Sequence, residues 1–159
     1  MKQDRFLIAV VSVILVLIIA SLTIFFLRND KQTYRPEDTP QGIVYNYLLA
    51  LERSDYQRAF EYIGDEENKG TFDEFQDAYL AQQRAISTIA ISIGSTDRTG
   101  DKAAVTLYLN HSGNGPFGSG WRETGTAVLT QNPTGEWIIS NMPYPFWPPN
   151  LYPMKVPTP

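Results

Sequence analysis

Residues 6–27 are an uncharged run of 22 residues, FLIAVVSVILVLIIASLTIFFL, of which seventeen are Leu, Ile, Val or Phe. Nothing else in the chain constrains it as tightly. A helix of that length rises about 33 Å, enough for a hydrocarbon core of about 30 Å. Insertion of that many aliphatic and Phe residues is favourable by roughly 5–10 kcal/mol. A cleaved signal peptide has a shorter apolar core, of about 7–15 residues, ending in small residues. Here Ala20 and Ser21 are followed by further apolar chain up to Leu27. The run therefore reads as a retained membrane anchor. Lys2 and Arg5 precede it, and Arg28, Lys31 and Arg35 follow it. The positive-inside signal is nearly balanced. With five residues before the span and the bulk after it, the expected topology puts residues 1–5 in the cytoplasm and the C-terminal domain outside the cell membrane.

The residues after the span carry 11 Lys+Arg against 16 Asp+Glu. An acidic domain lacks the basic face that nucleic-acid binding requires, so no nucleic-acid partner is expected. Zero cysteines exclude disulfides, thiolate metal sites and a cysteine nucleophile, and one histidine excludes His-rich metal sites. The expectation is no cofactor and no metal.

Residues 28–38 are polar and read as a stalk. Thr39-Pro40 then opens a helix, with Thr as N-cap and Pro at the first helical position. Val44, Tyr47, Leu48 and Leu51 give it one apolar stripe. Ser54 with Gln57 reads as a capping box for a second helix, whose buried side is Tyr56, Phe60 and Ile63. Thr71 with Glu74 is another box, opening a third helix along Phe72, Phe75 and Tyr79 to about Arg84. Beyond that the period changes from 3.6 to 2. Ile89, Ile91 and Ile93 alternate with polar or small residues, as do Val105, Leu107 and Leu109. Residues 121–130 and 136–142 read as two more strands, separated by the turn Asn132-Pro133-Thr134-Gly135. Three helices followed by a four-stranded meander is an α+β plan.

The stretch PQGIVYNYLLALERSDYQRAFEYI, the opening TFDEF and the strand GEWIIS together resemble the nuclear-transport-factor-2-like superfamily. The resemblance spans about residues 39–142 and implies a cone, a curved antiparallel sheet of four or more strands wrapped around the N-terminal helix. It also implies a membrane-anchored bacterial type. The fold hosts enzymes, carriers and assembly modules alike.

Enzymes of that superfamily place a general-base carboxylate and a donating Tyr or Asp in the cone. Here Asp97 and Asp101 flank a turn, and Glu123 and Glu136 begin strands, all positions that suit a solvated rim. Tyr108 is a strand residue that suits packing. His111, the one histidine, precedes a glycine-rich loop and reads as surface. Residues 113–118 match G-x-G-x-x-G literally but lead into a strand, not a helix, so no dinucleotide site is expected. Asn110-His111-Ser112 is a formal glycan acceptor, and Asp65-Glu66-Glu67 lack the spaced ligands of a calcium loop. The chain is expected to be no enzyme, with no catalytic residue.

Residues 143–159, PYPFWPPNLYPMKVPTP, contain seven prolines among large apolar groups. Proline forbids helix and central strand here. Three readings stand side by side: the tail covers its own domain, docks on another protein as an extended ligand, or touches the membrane interface. Tyr144, Phe146, Trp147, Leu151 and Tyr152 are the candidate partner contacts. The expected function is an interaction or assembly module in a larger membrane complex of secretion, envelope or electron transport. The alternatives are a carrier of small apolar ligands and, third, an isomerase- or hydrolase-like enzyme.

Overall fold

The N-terminal apolar run is one helix, α1 (Gln3–Leu27), in which Leu7–Ile24 are long and apolar enough to cross a membrane. The computed structural model describes residues 3–27, 32–64, 70–113 and 118–147. It divides into two units, Met1–Thr33 and Tyr34–Pro159.

The second unit begins earlier than the expected stalk allows. Asn46 is fully buried; its Oδ1 accepts from the Arg35 amide at 2.7 Å and its Nδ2 donates to the Arg35 carbonyl at 2.9 Å. A buried amide side chain must find such partners, and Asn46 finds them in extended backbone that has none of its own. Tyr34–Asp38 are thus part of the domain. The expected stalk, residues 28–38, overlaps it.

Helix α2 (Pro40–Glu52) starts where the cap signal put it, with the Thr39 hydroxyl accepting from the Gly42 amide at 3.1 Å. Helix α3 (Tyr56–Glu61) does not use Ser54 as its cap. Ser54 takes a left-handed φ of 58° to reverse the chain, and Asp55 caps instead, accepting from the Arg58 amide at 3.3 Å. A carboxylate also suits the positive end of a helix better than a hydroxyl. Gln57 reaches Glu61 rather than the cap. In α4 (Phe72–Ser87) the expected capping box forms in both directions, and the helix runs past Arg84.

Four strands follow: β1 (Ile89–Thr99), β2 (Lys102–His111), β3 (Trp121–Gln131) and β4 (Trp137–Asn141). They pair antiparallel in the order β1-β2-β3-β4, with register shifts at Ile93/Thr96 and Val128/Leu129. Gly100 makes the first hairpin turn at φ 62°, a conformation that costs glycine little. Val105, Leu107 and Leu109 of β2, Ala127 and Leu129 of β3 and Ile139 of β4 are buried on one face. Against them pack Val44, Tyr47 and Leu51 of α2 and Phe75 and Tyr79 of α4, forming one core. The outer edge of β4 is partly closed: Ile63 pairs with Ile139 in parallel, through Gly64 N–H to Ile139 O (3.1 Å) and Ile139 N–H to Tyr62 O (2.8 Å).

Candidate functional site

Between its helices and its sheet this chain packs part of its own C-terminal segment. After β4, residues 143–147 fold back over the helix-covered face of the sheet. Pro143 lies against Gly125 of β3 so closely that a Cβ there would meet its ring at 2.6 Å. Pro145 is fully buried and Phe146 is 2% exposed. The Phe146 carbonyl accepts from the Tyr47 hydroxyl at 2.8 Å and from the Tyr79 hydroxyl at 2.6 Å, and the two hydroxyls also touch each other. Two phenol protons therefore serve three oxygen contacts in a site without water access. Burial pushes the ionisation of both tyrosines well above the usual tyrosine range. Tyr144, by contrast, is exposed, and Trp147 is half-buried.

A second constellation lies on the same face, at the β2–β3 hairpin end. His111, in phase with Leu107 and Leu109, faces Trp121 across the ladder. The imidazole lies flat on the indole, 3.7 Å between centroids and 3° between planes. Its Nε2 is buried without a hydrogen bond, although Glu123 Oε2 stands 3.4 Å away, close enough for an ion pair once the ring is protonated. Trp121 itself is exposed.

A third feature is a groove of about 660 Å³ between α3 and β4. Ile43, Tyr62 and Trp137 form a buried apolar floor. On its rim Tyr62 donates to Glu37 (2.6 Å), and Arg58 donates to Tyr62 (3.0 Å) and to Glu37 (3.2 Å). Burial, then the bond to Glu37, raises the Tyr62 ionisation, while Tyr62 and Glu37 hold the Arg58 guanidinium more firmly protonated.

The structure places Phe146 inside the domain and Tyr144 and Trp147 nearer its surface; Leu151 and Tyr152 lie outside the described residues, as do Asp65-Glu66-Glu67 and the middle of the glycine-rich loop. Asn110 is an unsuitable glycan acceptor, because its amide donates to the Ala90 carbonyl and its Oδ1 accepts from Arg122. Tyr108 lies on the sheet face opposite Leu107 and Leu109, under Arg122. Glu136 sits on the groove rim, its carboxyl held below the ordinary range by bonds from Asn132 and Thr134. Sequence reading missed the His111–Trp121–Glu123 cluster. The signal was present: His111 continues the buried phase of β2, and Glu123 that of β3.

No protein-family profile matches the chain, and no curated protein does. Solved structures do. A SEC-C motif containing protein from Rhodopseudomonas palustris is 15% identical, with TM-score 0.50 over 69% of this chain and 80% of that one. A candidate ketosteroid isomerase from Shewanella frigidimarina is 19% identical, with TM-score 0.50 over 69% of this chain and 98% of that one. A nuclear-transport-factor-2-like protein from an Exiguobacterium species is 14% identical, with TM-score 0.42 over 64% and 97%. The fold is nuclear-transport-factor-2-like. The expectation that the chain is no enzyme is corrected by the second of these likenesses. It rested on a shortage of inward carboxylates, and a fold shared with a candidate isomerase gives that shortage no power to exclude catalysis.

Proposed function

We propose that the domain from Tyr34 onward is a binding module for a partner protein, held at the cell membrane by the single N-terminal helix, with the N terminus cytoplasmic and the domain outside. One observation carries this reading: Pro145 and Phe146 of the chain itself fill the helix-covered interior, and Phe146 uses the two tyrosine hydroxyls that face it. Recognition then falls to the surface. Tyr144 and Trp147, which flank the buried pair, are presented on a segment that is already immobilised, so docking there loses little conformational entropy. Leu151 and Tyr152, further along the sequence, are the remaining candidate contacts. The setting is a larger membrane complex in which the domain is one of several subunits.

Purification of the full chain in mild detergent tests this. Co-migration with a stoichiometric protein partner, lost on Tyr144→Ala without a change in melting temperature, is the expected result. A lone monomer carrying a small apolar molecule would overturn it in favour of the carrier alternative.

A second reading rests on His111, Trp121 and Glu123. An imidazole whose Nε2 stands 3.4 Å from a part-exposed carboxylate can exchange a proton with it. Turnover of a carbonyl compound that disappears with His111→Gln would support it.

A further inference from the structure

The groove between α3 and β4 has a charge imbalance that the fold does not use. Glu37 is neutralised by Arg58. Asp55, Glu61 and Glu136, the other three carboxylates on its rim, have no cation within ion-pair distance among the described residues. Their hydrogen bonds come from neutral groups: Asp55 from the Arg58 amide and Tyr34, Glu61 from Gln57, Glu136 from Asn132 and Thr134. The floor beneath them is apolar.

The backbone of β4 adds a second, independent feature. Ile139 turns its N–H and C=O to the outer edge of the sheet, where Tyr62 and Gly64 take them. The alternation of a strand turns the N–H and C=O of Trp137 to that same edge. The β2 side agrees, since the Gln131 amide, opposite Trp137, points away to Asp101. At Trp137 the edge is flanked by helix α3 rather than by a strand, and the space between them is the groove.

We propose that this groove binds an extended, basic segment of a partner protein, its Lys or Arg side chains meeting Asp55, Glu61 and Glu136 and its apolar side chains resting on Trp137 and Ile43. The proposal rests on the binding-module reading and names the chemistry of the partner. Edge addition supplies main-chain bonds, while the rim charges select the sequence.

The test uses the full chain in a neutral detergent and a fluorescein-labelled Lys-Val-Lys-Val-Lys-Val peptide, followed by anisotropy. The expected result is saturable binding that weakens about fivefold in the double variant Glu61→Gln/Glu136→Gln, as the loss of two exposed charge pairs implies. Asp97→Asn/Asp101→Asn removes the same charge from the β1–β2 hairpin turn, which does not line the groove, and should leave binding unchanged. A Glu-Val-Glu-Val-Glu-Val peptide should not bind. Equal weakening by both double variants would reduce the effect to net charge and overturn the proposal, as would binding of the acidic peptide. If the basic peptide fails to bind while a co-purifying partner is still lost on Tyr144→Ala, the groove proposal falls and the binding-module reading stands.

Discussion

Two polar clusters on one sheet face sit under opposite conditions. In the Tyr47–Tyr79–Phe146 cluster every oxygen is buried and bonded. In the His111–Trp121–Glu123 cluster the ring is stacked, but its Nε2 is unbonded and its carboxylate neighbour is half in water. The difference follows from what covers each cluster. Helices α2 and α4 and residues 143–147 close the first. The second lies beside the glycine-rich loop with an exposed indole. A buried polar cluster that is satisfied is costly to lose; the His111 cluster, part-exposed and with a buried Nε2 left unbonded, contributes little to stability.

That contrast can be broken most severely at the closed cluster. Phe146→Ala should destabilise the domain by about 3–5 kcal/mol, the usual cost of emptying a buried aromatic site, read as a lower denaturation midpoint. Truncation after Met142 should cost at least as much, because Tyr47 and Tyr79 then lose their carbonyl. Truncation after Trp147 keeps the buried pair and should leave the midpoint nearly unchanged.

Tyr79→Phe should cost about 1–3 kcal/mol, because it leaves the partner oxygens short of a donor. The same tyrosines set an alkaline limit. Their folded-state ionisation lies above the unfolded value of about 10, so their contribution is complete below about pH 10 and is lost as pH rises through the folded values. Absorbance at 295 nm should show Tyr47 and Tyr79 ionising together with unfolding. Early, reversible ionisation of all tyrosines in a folded domain would contradict the closed site.

Gly125→Ala should cost about 1–3 kcal/mol, since the added methyl meets the Pro143 ring, which is part of a clamped segment. At the open cluster the smallest effect is expected. His111→Ala removes one stacked pair and should cost about 0.5–1.5 kcal/mol, while changing Trp121 fluorescence. A loss comparable to that of Phe146→Ala would erase the distinction between the two clusters.

Much of the fold was legible because its signals are local. Thr39-Pro40 and the Thr71–Glu74 box state helix starts within four residues, and the change of apolar period marks where helix gives way to strand. The shifted cap at Asp55 was not legible, because Ser54 and Asp55 are both good caps and the reversal after α2 chose between them. The candidate sites were less legible still. Period told that Tyr47 and Tyr79 are buried but not that their hydroxyls meet over one carbonyl 99 and 67 residues away along the chain.

By itself the sequence determined an apolar N-terminal helix long enough to span a membrane, an α+β domain and a meander of four strands. Each follows from hydrophobic periodicity and capping chemistry, which act over a few residues. The tertiary structure alone decided that the tail's Phe146 belongs to the interior, that His111 and Glu123 share a face, and that Glu37, Asp55, Glu61 and Glu136 gather around one groove. Those outcomes depend on which distant surfaces pack together, and a carboxylate or a proline carries no local mark of the neighbour it will meet.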